Sequence, residues 1–262
     1  MILISKIFGW LSFIVWSISF YPQVYTNYKH KTSEGVTLDM NIYYILGYVF
    51  YSTYLFTMYF NSPISMKYEE LLNITTTEID ISDIFFVSHS FILSIVLTAQ
   101  YFYYKQQFTK PLDCLNKIII ISISTGMALY LILTLCLPEN IAKWVYFIFT
   151  CGMINNIITC IKYLPQVIYH YKNKSTGKWN IWNTHTDIAG AIFLIAQICS
   201  DAFASSDLSI IYSNLTKLNL TLITIVFDTI IYTQYCKYKK KGRKFISNPY
   251  SNISSELQTS LV

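Results

Sequence analysis

Residues 17–35, SISFYPQVYTNYKHKTSEG, and residues 160–178, CIKYLPQVIYHYKNKSTGK, decide the fold. Each closes an apolar run, carries a Pro-Gln pair (Pro22-Gln23 and Pro165-Gln166) and leads into a basic segment. The prolines lie 143 residues apart (165 − 22), and in that register Val24 meets Val167, Tyr28 meets Tyr171, Lys29 meets Lys172, Lys31 meets Lys174 and Gly47 meets Gly190. So many matches without a gap mark a duplication. Duplicated halves with prolines inside membrane spans are how a secondary transporter sets a central site between two movable bundles.

Composition agrees with a membrane setting. With 53% apolar and 17% aromatic residues and a mean hydropathy of +0.40, the 262 residues offer too little polar surface for a soluble domain of this length. Seven stretches approach the roughly 20 apolar residues a helix needs to cross a bilayer: residues 2–26, 40–60, 81–104, 117–137, 142–169, 183–203 and 217–236. None alternates with period 2 as a barrel strand does, and backbone polar groups in hydrocarbon must be satisfied within the chain, so the class is all-α. The first stretch has no small-residue cleavage site and is expected to be a retained span.

Lysine and arginine accumulate on the cytosolic side of membrane proteins. Lys29, Lys31, Lys105, Lys110, Lys117, Lys172, Lys174, Lys178 and the tail from Lys237 to Lys244 fall on one face, against Lys6, Lys67, Lys143 and Lys217 on the other. The expected topology therefore has a lumenal N-terminus and a cytosolic C-terminus. Sequons at Asn73-Ile74-Thr75 and Asn214-Leu215-Thr216 fall on the predicted lumenal side, making Asn73 and Asn214 the candidate glycosylation sites. The net charge of +5 follows the cytosolic bias and points to lipid head groups rather than nucleic acid. The six cysteines show neither disulfide nor zinc spacing and read as packing residues; Cys136 and Cys199 share the predicted lumenal side.

An ionised side chain at the centre of a span costs about 2.5–3.5 kcal/mol on insertion scales, so intramembrane acids default to function. The chain has three, Asp83, Asp187 and Asp228, with Lys162 as the lone intramembrane base and Asn183, Thr184, His185 and Thr186 forming a polar patch beside Asp187. An acid balanced between burial and a nearby lysine can load a proton from an acidic compartment and release it to a neutral one. His89, two turns beyond Asp83, is a candidate relay. Each proline removes a backbone donor and frees a carbonyl one turn earlier, which suits a hinge at Pro22-Gln23 and at Pro165-Gln166. A Gly-x-Gly-Asp element, required for an intramembrane aspartyl protease, is missing, so no enzyme is expected.

The two Pro-Gln segments, together with DIFFVSH at 83–89, Asn183 with Asp187, and IVFD at 225–228, resemble the PQ-loop transporter family, and within it the branch that exports cystine from lysosomes. The likeness spans nearly the whole chain. It implies seven transmembrane helices as two three-helix bundles, with residues 1–104 as the first bundle, 105–141 as a linker around helix 4, 142–236 as the second bundle and 237–262 as a cytosolic tail. It implies proton-coupled export of L-cystine from an acidic lysosomal or vacuolar lumen to the cytosol, with protons as coupling ion and no other cofactor. Position by position it makes Asp187, Asp228 and Asp83 the proton-coupling acids, and Asn183, Asp187, Lys162, Tyr163, Gln166 and Asn27 the substrate contacts.

Tyr44, Asn155 and His170 depart from the family pattern and leave two alternatives open: transport of cationic amino acids or sugars, or a ligand or sorting receptor that moves nothing. In the tail, Tyr250-Ser251-Asn252-Ile253 has the tyrosine-x-x-apolar form read by sorting adaptors, so Tyr250 and Ile253 form a candidate clathrin-adaptor contact.

Overall fold

The computed structural model describes residues 2–33, 36–73, 79–104, 112–176, 179–205, 211 and 215–246. Among them are eight helices: α1 Ile2–His30, α2 Leu38–Phe60, α3 Ser62–Leu72, α4 Ile81–Tyr103, α5 Cys114–Cys136, α6 Ile141–Asn173, α7 Ile181–Ser205 and α8 Leu215–Ile246. Seven occupy the expected apolar stretches. The addition is α3, whose 11 residues are too short to span a bilayer. It starts where the Asn61 side chain accepts from Ile64 N at 3.2 Å, with Pro63 in the first turn, and stops at Asn73 in the left-handed conformation, φ 52°.

Among the described residues six helices are long and apolar enough to cross a membrane; α2 is the exception to the expected seven. Its 23 residues include Tyr43, Tyr44, Tyr48, Tyr51, Tyr54 and Tyr59, whose hydroxyls lower its hydropathy. Most of these rings turn inward: Tyr43, Tyr51 and Tyr54 are buried, and Tyr44 and Tyr48 line the central cavity described below. All six cysteines are free, as their spacing leads one to expect, but only Cys151 is buried, so most are not packing residues.

The two halves interlock. In the first, α4 lies between α1 and α2 and packs on both; in the second, α8 does the same between α6 and α7. The most extensive contacts cross between halves, α1 on α7 and α2 on α6. Four glycines at duplicated positions let these seams close. A Cβ on Gly190 of α7 would stand 2.5 Å from the Trp16 ring of α1, and one on its counterpart Gly47 of α2 would stand 3.1 Å from Asn155 Oδ1 of α6. Nearer the other end, Gly9 backs onto Gln197 and its counterpart Gly152 onto Tyr54. The linker helix α5 touches the bundle mainly through α6. Its start is pinned to α2 by Asp39, which accepts from Asp113 N at 3.0 Å and Asn116 Nδ2 at 2.7 Å.

Both Pro-Gln helices end alike. Lys31 and Lys174 adopt left-handed backbones, φ 50° and 49°, at a cost of about 1–2 kcal/mol each for a residue with a Cβ. Each ammonium sits over the ring three residues earlier, Lys31 on Tyr28 at 3.8 Å and Lys174 on Tyr171 at 3.5 Å, a contact of similar size to the strain. The end where α1 and α6 terminate is the basic end. The opposite end, with α3 and the starts of α4 and α8, is the acidic end.

Candidate functional site

A cavity lies between the halves and is lined by residues of both. Asp187 on α7 lines it, together with Lys162 and Tyr163 on α6, Asn183 one turn before Asp187, and Tyr44 on α2. Backbone packing fixes Asp187: with no side chain on Gly190, the Trp16 indole enters the seam and its Nε1 donates to Asp187 O at 2.9 Å, while Ser12 Oγ donates to Gly190 O at 3.0 Å. The Ser19 hydroxyl lies between two acceptors, the Trp16 carbonyl at 2.7 Å and the Asp187 carboxylate.

Lys162 is the only lysine or arginine among the residues lining the cavity. Among the described residues no carboxylate lies within 4.0 Å of it; its ammonium instead sits over the rings of Tyr44 at 4.5 Å and Tyr163 at 5.1 Å. Its charge acts on both Asp187 and Asp228. Asp228 on α8 is wholly buried, and neither of its oxygens has a hydrogen-bond partner among the described residues. A buried carboxylate so placed is costly when ionised. Asn183 Oδ1 and Asn155 Nδ2 are likewise buried and unpartnered, so an acceptor and a donor stand ready in the cavity wall.

Asp83 stands apart from this group. It is the third residue of α4, where its carboxylate accepts from Asp80 N at 2.8 Å in a capping box and pairs with Lys217 of α8 at 2.6 Å. Lys217, expected on a lumenal surface, is buried by this pair. Beside it, Asp80 accepts from Gln197 Nε2 of α7 at 2.7 Å, so the acidic end carries two polar links between the halves. His89 is bonded to Tyr21 Oη at 2.9 Å rather than to an acid.

Gln166 and Asn27, expected as substrate contacts, do not line the cavity. They belong to a pair of clasps at the basic end. Gln23 accepts from Asn180 N at 3.2 Å and donates to Asn27 Oδ1 at 2.9 Å; Asn27 donates to Gln100 Oε1 at 3.1 Å, and Gln100 to Val24 O at 3.1 Å. In the other half Gln166 accepts from Thr37 N at 3.1 Å and donates to His170 Nε2 at 2.8 Å, and Gln234 donates to Val167 O at 3.0 Å. Each glutamine after a proline thus holds the amide that opens the second helix of the opposite half. Buried amides without a partner are costly, which explains why polar side chains gather here.

Gln100 and Gln234 escaped the sequence reading, although each precedes a tyrosine near the end of a third apolar stretch, in AQY and TQY. Their spacing differs from that of the prolines, so an ungapped register passes over them. Asn73 ends α3, whereas the rest of its sequon lies outside the described residues, as do Asn214, Tyr250 and Ile253.

Comparison with known proteins gives the same outline. The PQ loop repeat model matches residues 4–64 and 147–207. The chain is similar to a cystinosin homolog of Dictyostelium discoideum, with 32% identity over 252 residues covering 95% of this chain and 87% of the relative. It is similar to the cystinosin of Drosophila melanogaster, with 28% identity over 255 residues, and spans 62% of that relative's length. A cystine transporter of Saccharomyces cerevisiae is 23% identical over 261 residues, with 94% of this chain and 98% of the relative covered.

Proposed function

The chain belongs to the cystinosin family of PQ-loop repeat proteins, and from that premise we propose that it carries L-cystine together with protons from an acidic lumen to the cytosol by alternating access. One observation carries the reading: Asp187 and Lys162 line a cavity between the duplicated halves, and Asp228 on a third helix is buried near enough for its charge to act on Lys162. A dipolar solute needs partners for ammonium and carboxylate, and Asp187, Asn183 and Lys162 supply both where charges are weakly screened. Proton binding at Asp187 and Asp228 changes the charge balance around Lys162 and so the state the cavity favours. All seven long helices cross the membrane, with the basic end in the cytosol and a lysosomal or vacuolar lumen at the acidic end.

The moving parts are the bundles 1–104 and 142–236, hinged at Pro22 and Pro165 and joined by 105–141. At the acidic end Asp83–Lys217 and Asp80–Gln197 bridge the bundles, and at the basic end the Gln23 and Gln166 clasps do. Opening to either side breaks one set. Asp83 acts on coupling through its gate, not through the cavity. Asn73 and Asn214 accept glycans, and Tyr250 with Ile253 engages a clathrin adaptor.

Radiolabelled cystine flux into proteoliposomes, with and without a pH difference, tests the reading. A pH difference drives accumulation in the wild type, and Asp187→Asn abolishes that drive while the protein is still made; equal accumulation with and without the gradient overturns it. Asp187, which lines the cavity with no lysine or arginine within 4.0 Å among the described residues, favours a second reading, transport of cationic amino acids, which lysine or arginine competing better than cystine supports.

A further inference from the structure

We infer that the basic end of the second half seats a lipid head group carrying more than one phosphate, on Lys174 and the last turns of α8. The inference lies outside the transport reading, and its test measures no transport.

Charge is unevenly divided between the two halves at this end. Residues 28–40 and 104–117 of the first half hold five lysines against three acids, Glu34, Asp39 and Asp113. Residues 171–186 and 229–255 of the second half hold nine lysines and arginines and not one aspartate or glutamate. The apolar span of α8 ends at Tyr238, yet the helix runs on to Ile246, so residues 239–246 carry it about 12 Å further. Along it Lys237, Lys240, Lys241 and Lys244 fall at spacings of three and four, where like charges destabilise a helix. An anionic partner removes that repulsion.

Lys174 adds a fixed cation to this run. It ends α6 in a left-handed backbone, φ 49°, with its ammonium 3.5 Å from the centre of the Tyr171 ring and 6.0 Å from that of Tyr238, where the α8 extension begins. The first half builds the same seat: Lys31 lies over Tyr28 and, at 5.4 Å, over Tyr104, which follows Gln100 by four residues as Tyr238 follows Gln234. The seat is thus a duplicated feature of the fold, and only in the second half does an acid-free basic run stand beside it.

An aromatic ring holds an ammonium without neutralising it. Lys174 is exposed, and no carboxylate lies within 4.0 Å of it among the described residues. Depth fits a head group as well. Tyr171 and, at the start of α7, Trp182 are exposed at this end, and tyrosine and tryptophan on the outside of a membrane protein gather at the level of the head groups. A head group with one charge satisfies either Lys174 or the α8 extension. One with two or more phosphates meets both, because Tyr238 joins them at one place.

The test uses full-length protein in uncharged detergent with water-soluble dioctanoyl lipids, scored by the rise in melting temperature with lipid concentration and by lipid retained in native mass spectrometry. The probes are phosphatidylinositol bisphosphate, phosphatidylserine at matched total charge, and free inositol trisphosphate. The bisphosphate lipid is expected to stabilise the wild type at about a tenth of the concentration that phosphatidylserine needs. Lys174→Gly keeps the left-handed backbone and removes the ammonium, so binding weakens about fivefold; Lys239→Ala, Lys240→Ala and Lys241→Ala combined weaken it about a hundredfold, and Lys31→Gly less than about twofold. Equal potency of phosphatidylserine overturns the inference, as does a wild type that no probe stabilises. Equal stabilisation by free inositol trisphosphate assigns the site to a soluble phosphate and overturns the lipid assignment. A loss in Lys31→Gly as large as in Lys174→Gly reduces the effect to net charge and overturns the seat. Should Lys174→Gly fail to fold, Lys174→Asn, which also tolerates the left-handed backbone, decides in its place.

Discussion

Asp83 and Lys217 occupy the same place in the two halves, the third residue of α4 and of α8, and meet at 2.6 Å across the seam at the acidic end. Duplication has placed an acid and a base at one internal position, so the symmetric contact becomes attractive. Both side chains are about nine-tenths buried. Removing one partner of a buried pair costs about 3–5 kcal/mol, whereas replacing both with neutral groups is often close to neutral. Lys217→Met is expected to lower the melting temperature of the purified protein strongly, and Asp83→Asn combined with Lys217→Met to restore most of the loss. A double variant as unstable as the single one contradicts this account.

Asp80, just outside the α4 span, gives the acidic end a pH dependence. Burial holds its carboxyl above the ordinary 3.8, partly offset by Lys217, with Asp83 and Asp201 pushing the same way as burial and Lys6 against it. A folded state that binds a proton more tightly than the unfolded chain gains stability in acid and loses it as pH rises from the ordinary value through the raised one. Thermal unfolding across pH 4 to 7 is expected to show that decline, and Asp80→Asn, which still accepts from Gln197, to flatten it. A steeper slope in the variant contradicts the assignment.

The glycine seams differ in tightness, and substitutions there should rank accordingly. Gly190→Ala drives a methyl into the Trp16 ring at 2.5 Å, whereas Gly47→Ala meets Asn155 Oδ1 and Ile158 at 3.1 and 3.3 Å. Overpacking a close interface costs about 1–3 kcal/mol, and Gly190→Ala is expected at or above the top of that range. Gly47→Ala should cost clearly less by the same melting measurement. Gly126, with nothing within 4 Å, is the control and should tolerate alanine.

His170 stands where the first half has Asn27, and the two clasps are not equally complete. Asn27 closes its bond to Gln100, but the corresponding contact of His170 with Gln234 falls short of good hydrogen-bond geometry, with His170 Nδ1 and Gln234 Oε1 both buried. His170→Asn is expected to complete the second clasp in the manner of the first and to stabilise the protein by about 1 kcal/mol. Measured melting below that of wild type tells against the correspondence.

Much of the site was legible in the sequence because burying charge in hydrocarbon is expensive: Asp187, Asp228 and Lys162 stand out from their surroundings, and the structure groups them. Asp83 was equally conspicuous, yet its partner is Lys217, whose position near a predicted helix end read as solvent-exposed. Gln166 and Asn27 read as cavity residues because polar side chains beside a hinge invite that reading; the structure uses Gln166 to hold the Thr37 amide of the opposite half and Asn27 to brace Gln23, which holds the Asn180 amide. Periodicity within one helix carries no information about such distant partners. Tyr44 illustrates the same limit, since its aromatic character was plain while its seat on Lys162 depends on how α2 meets α6.

The crossed packing of α1 on α7 and of α2 on α6 has a consequence for how the protein is made. The first helix leaves the ribosome with its tightest partner still unsynthesised, since α7 begins only at Ile181. Until then Trp16 has no Gly190 to receive it, and Gln23 has no Asn180. A nascent chain halted after α5 therefore presents unmatched polar groups to lipid, the kind of defect by which quality control recognises an orphaned membrane segment. Completion of the second half is what lets the first half mature.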